Sequence, residues 1–140
     1  MDRIVLDTNI IVMSIAPQSI YRKIWDTFLE QKFNLCISNE IVEEYHEVLS
    51  RNISPIVSDY IINTILTRDN IIMIDPHFRC RLIEADPDDN KFVDCAFACG
   101  AKFIVSEDHH FDILKSIPFP KIEVININEY INYLEKQKTF

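Results

Sequence analysis

The amino-acid sequence predicts a single α/β domain, residues 1–140, built on a parallel sheet. Three observations carry this. Strand-like apolar segments alternate with helix-like amphipathic ones. A chain of 140 residues is long enough for one core, and 48% hydrophobic content supplies it. Strands alternating with helices pair in parallel through right-handed crossovers, with helices covering the sheet. Ligands of such sheets sit at the carboxyl ends of the strands.

In chain order, Arg3–Leu6 reads as a short strand. Residues 20–31 carry Ile24, Trp25 and Phe28 at helical spacing, and 33–37 reads as a second strand. A helix follows over 39–50, capped by Ser38 or Asn39. Another spans 55–67, opening on Pro55. Residues 71–74 read as a strand, 88–99 as a helix, and Phe103–Val105 as a strand. The last strand is 122–125, followed by a helix from Asn128 to about Lys136.

Composition excludes several classes. Gly100 is the only glycine, so neither a P-loop nor a dinucleotide-binding Gly-rich turn is present. No apolar run reaches the roughly 18 residues that a bilayer span needs. The amino terminus lacks the pattern of a signal peptide, which leads to the expectation of a cytoplasmic protein. Cys36, Cys80, Cys95 and Cys99 form no C-x-x-C pair and read as reduced core thiols. The net charge of -8 opposes direct grip on nucleic-acid phosphates, unless cations mediate the contact.

Acidic residues at particular places point to such cations. In "RIVLDTNIIV", Asp7 interrupts an apolar run at the end of the first strand. In "FIVSEDHHF", Asp108 follows the strand at 103–105. Taken alone, either one is better explained as the start of a loop. On the helix 39–50, Ile41, Val42, Tyr45, Val48 and Leu49 form an apolar stripe. Glu40, Glu43 and Glu47 fall opposite it and read as a solvated face. Glu44 sits at the stripe's margin, where it either snorkels outward or turns toward a site.

In "EADPDDNKFVDCAFACG", Asp86 and Pro87 suit a helix start, and acids in the first turn gain roughly 0.3–1 kcal/mol from the helix dipole. Capping alone can account for Asp86, Asp88 and Asp89. Yet Asp89 shares a face with Phe92, Val93 and Ala96, while Asp94 points away from it. Asp7, Glu44, Asp89 and Asp108 can therefore converge on one sheet edge. Carboxylates that close raise one another's pKa unless a cation joins them, and Mg²⁺ or Mn²⁺ takes such oxygen ligands.

The segments "VLDTNI", "SNEIVEEYHEVL" and "DPDDNKFVDCAFACGAKFIVSEDHHF" resemble the PIN domain family. The branch it is most similar to holds the VapC-like toxins of prokaryotic toxin–antitoxin pairs. The resemblance runs from about Arg3 to Ile125. It implies a three-layer α/β/α fold with about five parallel strands, and a Mg²⁺- or Mn²⁺-dependent ribonuclease that hydrolyses RNA phosphodiesters with activated water. It also implies Asp7, Asp89 and Asp108 as metal ligands, with Glu44 acting in the same catalytic cluster. Thr8 and Asn9 match the polar companions of the first acid, and Ser106 the hydroxyl position near Asp108. Lys91, Arg22, Lys23 and Arg51 are candidate phosphate contacts. An antitoxin partner and a homodimer are expected on the same grounds, and no membrane. Glu107 and His110 depart from the family pattern: glycine often stands at the first position and a further acid at the second.

Two other readings compete. One is a PIN-like binding module of little catalytic power, working through protein or nucleic-acid partners. The other is a phosphatase with an aspartyl nucleophile, which Asn9 disfavours because such enzymes usually place an aspartate there.

Overall fold

Five strands form one sheet: β1 (Arg3–Leu6), β2 (Asn34–Ile37), β3 (Ile71–Met73), β4 (Phe103–Val105) and β5 (Val124–Ile125). Their order is β3-β2-β1-β4-β5 and every pairing is parallel. The helices are α1 (Thr8–Ile15), α2 (Arg22–Leu29), α3 (Asn39–Asn52), α4 (Pro55–Thr67), α5 (Asn90–Cys99) and α6 (Ile127–Gln137), and with the sheet they make a three-layer α/β/α domain. Of two 3₁₀ segments, Pro87–Asp89 leads into α5 and His109–Ser116 lies between β4 and β5. This computed structural model describes residues 1–76, 79–83 and 86–137.

The central strands β1, β2 and β4 are buried on both faces, as parallel strands covered by helices must be. Ile4, Val5, Leu6, Leu35, Cys36, Ile104 and Val105 are all enclosed. Helix α5 packs across β1, β2 and β4. Tyr45 on α3 reaches the sheet, its buried hydroxyl donating to the Leu6 carbonyl. Asn70, ahead of β3, donates to the carbonyls of Phe28 and Phe33 at 2.9 and 2.8 Å, tying the end of α2 and the approach to β2 together. The four cysteines are free; Cys36, Cys95 and Cys99 are buried and Cys80 is half-buried.

The chain leaves β1 toward β2 and β3 on one side and places β4 and β5 on the other. The gap between the carboxyl ends of β1 and β4 is therefore the topological switch point, where open parallel sheets hold ligands. Leu6 pairs with Val105 at this edge, so Asp7 and Ser106 follow side by side.

The expected elements are present with small shifts. The helix expected from residue 20 starts at Arg22, and the strand expected from 122 starts at Val124. Ser38 is the cap of α3, accepting the Ile41 N–H at 3.3 Å. The helix expected at 88–99 divides into a 3₁₀ turn and α5, which ends on Gly100 at φ 65, the left-handed conformation glycine adopts without strain. Two elements were not expected. Helix α1 holds a β-branched run, Ile10-Ile11-Val12, which suits a strand by propensity, yet Asp7 caps it and turns the chain. The segment His109–Ser116 is set off by Asp108, whose Oδ1 accepts the His110 N–H at 2.9 Å.

Candidate functional site

Asp7 is fixed at three points. Its backbone N–H donates to the Val105 carbonyl at 3.0 Å, extending the β1–β4 ladder by one residue. Its Oδ1 accepts the Thr8 N–H at 2.7 Å, and its Oδ2 accepts the Ser106 hydroxyl at 2.7 Å. Only 6% of the residue is exposed. Burial pushes its carboxyl up to about 6; the Ser106 and Thr8 bonds oppose the shift, and the Glu44 and Asp108 charges add to it.

Ser106 also ties the second acid to the first. Its Oγ accepts the Asp108 N–H at 2.9 Å while its proton goes to Asp7. One hydroxyl thus sets the spacing between the loops after β1 and β4.

Glu44 is held from both sides. The Thr8 hydroxyl donates to its Oε2, and Lys91 Nζ lies 2.7 Å from its Oε1. Lys91 also meets Asp88, at 2.9 Å to Oδ2 and 3.1 Å to the carbonyl. Burial works against the Lys91 ammonium, but Glu44 and Asp88 outweigh it and raise its pKa. This ion pair compensates Glu44 within the protein.

Asp89 has no such compensation. The residue is 9% exposed, and its Oδ2 is enclosed without a hydrogen-bond donor. Burial first, then the charges of Asp86, Asp7 and Asp108, push its carboxyl up to about 7 against the opposing effect of His110. The nearest nitrogen side chain is His110, whose Nδ1 lies 3.5 Å from Asp89 Oδ2, 3.3 Å from Asp108 Oδ1 and 3.8 Å from Asp86 Oδ2.

The structure thus brings Asp7, Thr8, Glu44, Asp89, Lys91, Ser106 and Asp108 to one edge. Asn9 stays exposed on α1. Arg22 bonds the Ile15 carbonyl and pairs with Asp26, Lys23 pairs with Glu135, and Arg51 pairs with Glu47. Asp94 is buried away from the acids, where it accepts the Cys80 N–H at 2.8 Å and pairs with Arg79. Glu107 accepts the Ile127 N–H at 2.6 Å, which makes it a cap of α6.

Two members of the pocket carry more than their sequence positions suggested. Asp86 does cap the 3₁₀ turn, with Oδ1 accepting the Asp88 N–H at 3.2 Å. It also joins Asp89 and His110 in a trio whose ligand atoms lie within 4.8 Å of one another, the one such trio of His, Cys, Asp or Glu among the described residues. The available signal was His110 itself, an imidazole in a loop at a strand's carboxyl end. Asp7, Asp89 and Asp108 do not meet at that spacing, although their charges act on one another. Carboxylate oxygens, one enclosed and unbonded, beside an imidazole nitrogen make a donor set that fits a divalent cation.

These features define an α/β protein with an acidic pocket at the switch point of its sheet. The chain belongs to the PIN domain family, whose model matches residues 3–110. Its fold is similar to that of DNA-bound VapBC from Salmonella typhimurium, at a TM-score of 0.62 and 17% identity over 91% of this chain and 99% of that one. It is also similar to VapBC2 from Rickettsia felis bound to a DNA fragment from their promoter, at a TM-score of 0.59 and 17% identity, covering 89% and 98%. No curated protein matches the sequence. No described helix is long and apolar enough to cross a membrane.

Proposed function

We propose that the protein is a divalent-metal-dependent endoribonuclease and the toxin component of a toxin–antitoxin pair. The observation that carries the metal dependence is Asp89 Oδ2, an enclosed carboxylate oxygen without a donor, next to Asp7 and Asp108 at the switch point. Leaving such a group uncompensated is costly, and a cation is the economical remedy. Asp7, Asp89 and Asp108 would hold the ion, as the family resemblance implies; Asp7 and Asp108 stand wider from Asp89 than the Asp86–Asp89–His110 trio and would close on the ion as it binds. Once bound, it supplies water activation and neutralises charge developing at phosphorus.

The chain's own residues do the positioning. Ser106 and the Thr8 N–H orient the two oxygens of Asp7. Thr8, Glu44 and Lys91 form a bracket that holds α1, α3 and α5 in register around the acids. Lys91 borders a cavity of about 660 Å³ that is also lined by Arg79 and Arg81, which offers a path for substrate phosphates beside the acids. A cation in the pocket also answers the net charge of -8, because it brings positive potential to the point of phosphate contact.

Family membership supports the nuclease reading. The VapBC complexes of similar fold support an antitoxin partner. The test is cleavage of single-stranded RNA with Mg²⁺ or Mn²⁺, comparing wild type with Asp7→Asn and Asp89→Asn. The reading requires metal-dependent cleavage that each substitution lowers by about a hundredfold or more. Equal cleavage in all three proteins, or cleavage that survives chelation, would overturn it.

A further inference from the structure

We infer that His110 is itself a metal ligand, and that with Asp86 and Asp89 it makes a nitrogen-bearing position selecting first-row transition ions over Mg²⁺. The inference rests on the proposal that this edge binds a divalent ion. It adds which residues meet the ion and what class of ion they prefer.

The geometry supplies the first argument. His110 Nδ1 faces three carboxylates, Asp108 at 3.3 Å, Asp89 at 3.5 Å and Asp86 at 3.8 Å. A single Nδ1 carries at most one proton, so it cannot satisfy three acceptors. All three separations also exceed the roughly 2.7–2.9 Å of a good charge-assisted hydrogen bond. They are, however, shorter than twice a metal–ligand bond of about 2.0–2.2 Å. Asp86, Asp89 and His110 place their ligand atoms within 4.8 Å of one another, so small side-chain adjustments bring all three onto one ion.

Asp89 supplies the second argument. Its Oδ2 is enclosed, accepts no hydrogen bond and points at the same nitrogen. By contrast, Glu44 and Asp7 have donors for both oxygens. The unmet demand is therefore concentrated where Asp86, Asp89 and His110 meet.

Ligand chemistry then sets the preference. Mg²⁺ keeps to oxygen ligands and holds its water tightly. An imidazole nitrogen gains most with transition ions, whose affinities for N/O sites rise along the first row toward copper. Replacing an acid by His110 in an otherwise oxygen pocket shifts the balance from Mg²⁺ toward Mn²⁺ and its heavier neighbours. His110 is substantially exposed, so substituting it spares the core.

Mn²⁺ added to metal-free protein provides the test. Pulsed electron paramagnetic resonance detects ¹⁴N coupling from a directly bound imidazole, and calorimetric competition gives the Mn²⁺ to Mg²⁺ affinity ratio. Wild type should show the nitrogen coupling, and His110→Asn should lose it. His110→Asp should lower the Mn²⁺ to Mg²⁺ ratio by about tenfold or more. Bound Mn²⁺ without nitrogen coupling, or a ratio unchanged in His110→Asp, overturns the inference and leaves the ribonuclease proposal standing. Nitrogen coupling in a protein that cleaves no RNA supports the inference and counts against the ribonuclease proposal. Absence of any Mn²⁺ binding overturns both.

Discussion

Asp7→Asn should stabilise the metal-free protein at neutral pH. Asp7 is buried, and its carboxyl is pushed from 3.8 to about 6. The folded state thus favours the neutral form. The sign follows directly: the stability this group contributes is whole below pH 3.8 and is lost as pH rises through 6. A shift of about two units corresponds to about 3 kcal/mol at 1.36 kcal/mol per unit, an upper figure for what the ionised group costs at pH 7.5. Asparagine keeps an oxygen for the Thr8 N–H and offers an amide to Ser106, so the geometry survives while the charge goes.

Thermal unfolding in a chelator at pH 7.5 should therefore show Asp7→Asn above wild type by several degrees, on the order of 3 °C per kcal/mol. By pH 4 the difference should shrink to about 0.6 kcal/mol. Saturating Mn²⁺ should reverse the order, because a ligand bound by the native state stabilises only the protein that holds it. Wild type more stable than Asp7→Asn in chelator at pH 7.5, or a gap that does not vary with pH, would refute the reasoning.

Ser106→Ala removes the hydroxyl that joins Asp7 to the Asp108 loop; calorimetry should show Mn²⁺ affinity falling by about 10- to 100-fold, as for other residues that orient ligands. Lys91→Met leaves Glu44 and Asp88 without their shared cation and should cost about 2 kcal/mol in urea denaturation, more than Glu44→Gln, which leaves Lys91 its Asp88 partner. Gly100→Ala meets no neighbour within 4 Å, so its cost should be the left-handed backbone alone, about 1–2 kcal/mol by the same assay.

The architecture was legible because it rests on patterns local in sequence. Apolar runs such as Ile4-Val5-Leu6 and Phe103-Ile104-Val105 are bounded by polar residues, and Gly100 marks a helix end that only one residue type fills cheaply. Helix α1 was not legible, since Ile10, Ile11 and Val12 prefer strands and the decisive signal was one capping contact. At the site, Glu44 could be singled out from its helix because the stripe margin is a periodic feature, and Asp89 for the same reason. What periodicity could not give was the division of labour. Glu44 is matched to Lys91 on another helix, and Asp89 is left unmatched, a contrast that exists only after α3 and α5 pack. Asp86 and His110 stand 24 residues apart by numbering and belong to different loops, so nothing in either segment announces that they meet.

Anomalous diffraction from crystals of the protein grown with Mn²⁺ would locate the ion against its ligands. The expected result is a manganese peak in contact with Asp89, among Asp7, Asp86, Asp108 and His110, that disappears in Asp89→Asn. A saturated crystal with no peak at this edge, or one with the peak unchanged in Asp89→Asn, would contradict it.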